Sequence, residues 1–369
     1  METTTALKTT IAYESKLVKR NWLFYLFILG ILGYTLWVLI PWNINQVLWS
    51  DIALASSIPS RSIYFLNLFQ SLVVVFIVCD IQRKQRKAET REVLSTRPIS
   101  NGKFFLGGFL GVLIPFLAAD VIFMVITMFI NIFVPNSPVN IWVNLFYLLT
   151  RTLPTLIFIT GLSLLVNKLI KQPFISWLIL IIFLYFLYSY LVTPLHGVLD
   201  FRGGLLPDSF SSLVGFMHIE ENLLQRSTIL LLGVSFLFFA APLTKRLPGT
   251  PGRKPYYFIP ATLFLVFSLS LGYIYVEKLQ ARLNNRIAYR EAFLKYNEYP
   301  TARVLSHDIT YRPGGDKFTA TSRMNIQNQR KVEMDQLLLF LNPGLKINKL
   351  ESNGQDLPFH RDHQVIIIK

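Results

Sequence analysis

The chain has a single cysteine, Cys79, in 369 residues, which excludes an intramolecular disulfide framework and a cysteine-rich metal site. Charge is scarce too: 15% of the residues are Asp, Glu, Lys or Arg, against about 25% in an ordinary soluble domain. No G-x-x-x-x-G-K-[ST] occurs, so the chain carries no P-loop, and no H-E-x-x-H occurs, so it carries no zincin-type site. His218-Ile219-Glu220-Glu221 lacks the second histidine of that zinc motif and is expected in an amphipathic loop helix. His360-Arg361-Asp362-His363 has no third ligand nearby and is expected in a solvated loop. What is abundant is apolar: 52% of the residues, with 30 Phe and 16 Tyr, and a mean hydropathy of +0.44. The net charge of +15 suits a nucleic-acid binder only if the surface is wettable, and here the apolar residues form long uncharged runs.

A bilayer-spanning helix needs about 20 mainly apolar residues, because lipid offers the backbone no hydrogen-bond partner. Seven stretches qualify: 22–40, 62–79, 104–133, 142–166, 174–192, 228–243 and 258–276. The first has too long an apolar core, and no small-residue cleavage site, to be a secretory signal. The expected fold class is an all-α polytopic membrane protein of about seven transmembrane helices with a small C-terminal all-β extracytoplasmic module. Lys and Arg number 17 in residues 1–21, 80–103, 167–172 and 245–256, against three (Arg61, Arg202, Arg226) in the alternate loops. The positive-inside rule therefore puts the N terminus in the cytoplasm and the C terminus outside, in a cell (inner) membrane. Most of the +15 is this signature, and no nucleic acid is expected as a partner.

Residues 1–21 are read as a cytoplasmic amphipathic helix, with Leu7, Ile11 and Val18 spaced against Lys8, Lys16 and Lys19. After the seventh span, 277–300 continues with helical periodicity as a stalk that Pro300 ends. Residues 301–369 alternate as strands: a hairpin around Gly314-Gly315, strands over 332–341 and 345–350, a turn at Asn353-Gly354 and a last strand at 364–368. That last strand is expected to lack cover, which makes the module read as incomplete.

Within the spans two ionisable residues stand out, Asp120 and Arg151. Counting from the turn between their helices leaves a depth mismatch of roughly 6 Å, within reach of an arginine, so an ion pair is expected. Gly107 and Gly111 form G-x-x-x-G, expected to serve intra-chain helix packing. Pro115 and Pro154 are expected to kink their spans. The spans hold no paired aspartates and no Ser/His or Cys/His arrangement, so no catalysis, metal or cofactor is expected.

The loop at 80–103 is the most informative stretch. Glu89 and Glu92 alternate with Arg86 and Arg91 ahead of Val93-Leu94, then Arg97-Pro98 stops the helix and Gly102-Lys103 opens the next span. A loop that only fixes topology needs the basic residues but not the carboxylates or the ordered stop. Here Glu89, Arg91, Glu92, Leu94, Thr96, Arg97, Pro98, Ile99, Ser100, Lys103, Gly107 and Gly111 resemble the membrane subunits of ABC-2 family transporters, including permeases associated with multicopper-enzyme maturation. The resemblance covers about residues 1–245. It implies a coupling helix docking into a cytoplasmic ABC ATPase, with Glu89, Arg91, Glu92, Leu94, Arg97 and Pro98 as contact residues, and a second permease half as partner besides membrane lipid. Residues 308–311, 324–328, 341–345 and 352–354 resemble the opening β-domain of gluzincin aminopeptidases; with the zinc and Gly-x-Met-Glu-Asn motifs absent, no peptidase activity is implied. The rival reading is a membrane anchor that displays this β-module without transporting anything.

Overall fold

The computed structural model describes residues 2–40, 54–87, 99–133, 138–170, 172–206, 209–211, 215–244, 255–314, 317–329 and 333–369. The chain divides into two compact units, Met1–Glu277 and Lys278–Lys369.

The first unit is helical. After α1 (Glu2–Lys19) come α2 (Trp22–Leu39), α3 (Ser57–Gln85), α4 (Asn101–Phe133), α5 (Ile141–Leu169), α6 (Pro173–Leu191), α7 (Ile219–Leu243) and α8 (Phe258–Tyr296). Among the described residues, α2 to α8 are the seven helices long and apolar enough to cross a membrane. Their apolar windows differ in cover: 67% of the window is buried in α3 and in α5, against 22% in α2, α6 and α8. The first two are therefore the central helices and the last three the peripheral ones. Phe27, Phe116, Phe123, Ile77, Leu156, Ile159 and Ile229 fill the interior, with Phe24 edge-on to Phe116 at 5.4 Å. Hydroxyl groups inside this apolar bundle bond back to their own helices, Ser62 Oγ to the Ile58 carbonyl (2.7 Å) and Ser71 Oγ to the Asn67 carbonyl (2.6 Å). A short hairpin, β1 (Phe210–Ser211) with β2 (Gly215–Phe216), lies before α7.

Departures from a plain helical reading in α7 and α5 bear on the site. α7 begins at Ile219, nine residues ahead of the expected 228, with Glu220 and Glu221 in its first turn where the helix dipole favours carboxylates. The 218–221 segment is thus the start of a long helix and not a separate loop helix. α5 carries a π turn at Leu148–Thr152, where the Leu153 N–H reaches back five residues to the Leu148 carbonyl. Pro154, which has no N–H, sits just after it, so the widened turn and the proline occur together. Pro115 lies inside α4.

In the second unit, the last turns of α8 supply core. Tyr296 packs with Leu338, Val365 and Ile367, and Lys295 and Tyr296 bond to Asp362. The stretch expected as a free stalk therefore ends inside a packed unit. β3 (Arg303–Gly314) and β4 (Lys317–Gln327) form the expected long hairpin, with a bulge at Val304/Ser306. β5 (Leu337–Phe340), β8 (Phe359–Asp362) and β9 (Val365–Ile368) form a sheet in the order β5-β9-β8. The last strand is thus central and fully buried, not an uncovered edge. Asn353 and Gly354, at φ 51° and 82°, make the tight turn between β6 (Glu351–Ser352) and β7 (Gln355–Asp356). Residues 345–350 are not a strand.

Candidate functional site

Glu89, Arg91, Glu92, Leu94, Thr96, Arg97 and Pro98 lie outside the described residues. The segments that flank them are tied down on both sides. Gln85 donates to Glu14 Oε1 of α1 at 3.0 Å. Arg86 donates through Nη2 to the Asn167 carbonyl and, at 3.3 Å, to the Ile170 carbonyl at the end of α5. Beyond the loop, Ser100 caps α4, its Oγ accepting from the Lys103 N–H at 3.3 Å.

Gly107 and Gly111 seat α1 along α4. A Cβ on Gly107 would come to 2.6 Å of Thr10 Cγ2, and one on Gly111 would overlap Glu14 Cβ. The i, i+4 pair of glycines thus receives an i, i+4 pair from α1, which is intra-chain packing as expected. Glu14 is 1% exposed.

Asp120 and Arg151 do not pair. Both Asp120 oxygens accept from Gln70 Nε2 at 2.8 Å. Arg151 donates through Nη1 to Ser60 Oγ at 3.1 Å and lies over the Tyr147 ring at 5.0 Å. Ser60 and Gln70 are ten residues apart on α3, roughly 15 Å along its axis. The count by depth assumed regular α-helix, whereas Arg151 sits within the π turn and its long side chain runs toward the Ser60 end.

A buried polar cluster lies where the sequence suggests an outer loop. Between α6 and α7, in residues 193–206, Asp200, Phe201, Arg202 and Leu206 are at most 5% exposed. Asp200 organises its own turn: Oδ1 accepts from the Arg202 N–H (3.1 Å), and Oδ2 from the Gly204 (2.7 Å) and Leu205 (3.0 Å) N–H groups. Arg226 of α7 clamps the turn from below, Nη2 to the Asp200 carbonyl (2.6 Å), Nη1 to the Phe201 carbonyl (3.3 Å) and Nε to Gln225 Oε1 (2.6 Å). Gln225 donates to the carbonyls of Gly197, Val198 and Asp200. Arg202 donates to the Tyr64 hydroxyl at 2.8 Å and stacks on the Tyr188 ring at 3.8 Å. Gly203, at φ 73°, has no room for a side chain, since a Cβ would meet Arg226 Nη1 at 2.7 Å. The signal available in the sequence was Asp200-Phe-Arg202-Gly-Gly, two charge signs and two turn residues between adjacent spans. The cluster holds no nucleophile beside a base; chemically it is a clamp on a folded loop. Among the described residues no three His, Cys, Asp or Glu side chains converge.

No protein-family model matches the sequence, and no curated protein matches it either.

Proposed function

We propose that the chain is a multi-pass membrane protein that serves as the membrane subunit of an ABC-2-type exporter, with its N terminus at the cytoplasmic face of the cell membrane. Seven long apolar helices, three of them peripheral and covered over only 22% of their windows, support the membrane reading, since lipid is the solvent that stabilises such faces. The basic excess in 1–21, 80–103, 167–172 and 245–256 supports the orientation.

The observation that carries the coupling role is how the start of the loop is anchored. Gln85 is bonded to α1 and Arg86 to the end of α5, so a push on 89–94 has two rigid elements to move. In this reading ATP-driven closure of a separate ATPase pushes the loop, α1 and α5 shift with it, and a second permease half completes the pathway. Co-purification of the chain with an ABC ATPase, and stimulation of ATP hydrolysis in that complex, tests it. Glu89→Lys with Glu92→Lys is expected to lose the complex while the membrane level of the chain is unchanged. An intact complex with an unchanged ATPase rate refutes the coupling role. The display-anchor reading is favoured by one observation, the self-contained core of Lys278–Lys369; absence of any ATPase partner would select it.

A further inference from the structure

At the end of the first unit where α1 meets α2, an open groove of about 680 Å³ runs between α2, α3 and α6. Its chemistry is divided. One wall is cationic, with Arg20, Arg83 and Lys84 against a single carboxylate, Asp80. Asp80 gathers the cations, holding Arg83 at 2.8 Å and Lys84 at 2.6 Å, and its Oδ2 also accepts from Asn21 Nδ2 at 3.0 Å. One negative charge thus fixes two positive ones and leaves an excess of positive charge facing the groove.

The other wall is aromatic. Trp177 packs against Phe76 at 4.9 Å and Phe174 at 5.7 Å. The three rings line the groove, and the indole Nε1 of Trp177 is itself shielded from solvent. From this point the uncovered faces of α2 and α6 continue in apolar steps, through Leu26 and Leu29 on one helix and Leu178 and Ile182 on the other. An anionic head and an apolar tail are the parts that match these walls in order.

We propose that this groove binds one anionic glycerophospholipid, its phosphate against Arg20, Arg83 and Lys84, its glycerol region against the Trp177 ring, and an acyl chain lying along α2 and α6. The inference rests on the reading that α2 to α8 cross a membrane, and it is independent of the transport role. A free phosphate would use the cationic wall alone and leave the indole and the apolar faces without a function.

The test is native mass spectrometry of the full chain in detergent, titrated with dioleoylphosphatidylglycerol or dioleoylphosphatidylcholine. The phosphatidylglycerol is expected to bind at least about tenfold more tightly, since each Lys or Arg beside an anionic lipid surface is worth about fivefold. Arg20→Gln/Arg83→Gln/Lys84→Gln is expected to abolish the preference, whereas Arg303→Gln/Arg312→Gln/Arg323→Gln, which removes the same charge elsewhere, leaves it. Arg83→Gln/Lys84→Gln, at two side chains more than half exposed, is expected to lower the preference at least about fivefold, and it decides the matter if the triple variant fails to fold. Equal binding of the two lipids, a preference that survives the triple variant, an undiminished preference in Arg83→Gln/Lys84→Gln, or binding of inorganic phosphate alone with the same affinity overturns the proposal. Alkaline carbonate extraction separates the two levels: release of the chain from membranes overturns the membrane reading and the groove with it. Retention without a lipid preference overturns the groove alone.

Discussion

The tightest helix crossing in the bundle gives a prediction whose sign is set by geometry. α5 and α7 meet backbone to backbone at Gly161 and Gly233. A Cβ on Gly233 would lie 2.6 Å from Phe158 Cα, 2.7 Å from Phe158 N and 2.9 Å from the Ile157 carbonyl carbon, where ordinary contact begins at 3.4 Å. All three are main-chain atoms of a helix, so no rotamer change relieves them and α7 must retreat by roughly 0.8 Å. A gap of 0.5–1 Å forfeits about a quarter to a half of the dispersion energy of the atoms it separates. Overpacking of this kind costs about 1–3 kcal/mol, offset in part by the roughly 1 kcal/mol that alanine gains over glycine within a helix. Gly233→Ala is therefore expected to lower stability by up to about 2 kcal/mol. Gly33→Ala on α2, where a Cβ meets nothing within 4 Å, keeps only the propensity gain and is expected to raise stability. Thermal unfolding of the two purified variants in one detergent, followed by tryptophan fluorescence, measures the contrast. Gly161→Ala, aimed at the Gly233 carbonyl from 2.5 Å, is expected to combine with Gly233→Ala less than additively, because one retreat relieves both. A Gly233→Ala protein as stable as the parent, or strict additivity of the pair, would refute the reasoning.

Three further outcomes follow from the polar contacts. Asp120→Asn is expected to fold as well as the parent, because its new N–H can donate to Gln70 Oε1, which has no partner now; Gln70→Leu, which strands the carboxylate, is expected to lose about 3 kcal/mol or more by the same unfolding assay. Restoration of Asp120→Asn or Arg151→Gln defects by a charge swap would revive the ion pair. Arg226→Lys keeps the charge but replaces a three-directional donor by one nitrogen. A loss of about 2–3 kcal/mol is expected, and a melting temperature equal to the parent's would show that the clamp on 200–201 is dispensable. In the second unit, hydrogen bonds from the Lys295 ammonium and then the Tyr296 hydroxyl hold Asp362 below its ordinary value of 3.8. A depressed carboxyl stabilises the fold above its unfolded pKa and loses that contribution as pH falls through the folded one. Hydrogen-exchange protection of β9, corrected for intrinsic rates, is expected to fall in this acid range in the full chain and to change less in Asp362→Asn; equal pH dependence in the two proteins contradicts the linkage.

The helices were legible because apolar runs of this length have one economical fold, and four of the seven start within a residue of the expected positions. α4 begins at Asn101, three residues early, α3 at Ser57, five residues early, and α7 nine residues early, all for one reason: polar residues lie inside each helix ahead of its apolar run. In α7 those residues include Gln225 and Arg226, which are buried. The hairpin β3-β4 and the Asn353-Gly354 turn were readable from alternation and turn chemistry, which are local. The central place of β9 was not, since strand order depends on which distant segment pairs with it.

The candidate site divides along the same line. Gly107 and Gly111 were visible because a spacing of four on one helix names a face, although the sequence does not say which helix fills it. Gly161 and Gly233 lie on different helices, 72 residues apart in number, and no single-helix pattern connects them. For Arg202 and Arg226 the error lay in the premise that charge between spans means exposure to water. A guanidinium can leave water when carbonyl groups and aromatic faces replace its hydration: the Asp200 and Phe201 carbonyls with Gln225 do so for Arg226, and Tyr64 of α3 with Tyr188 of α6 do so for Arg202. The exchange works in both directions: a folded turn has carbonyls without helix or sheet partners, and burying it requires donors that reach several at once. Arginines beside a glycine-rich turn between two spans are therefore as consistent with a buried, clamped loop as with a wet one, and the carboxylate at Asp200, bonded to three backbone N–H groups of that same turn, is what tips this loop inward.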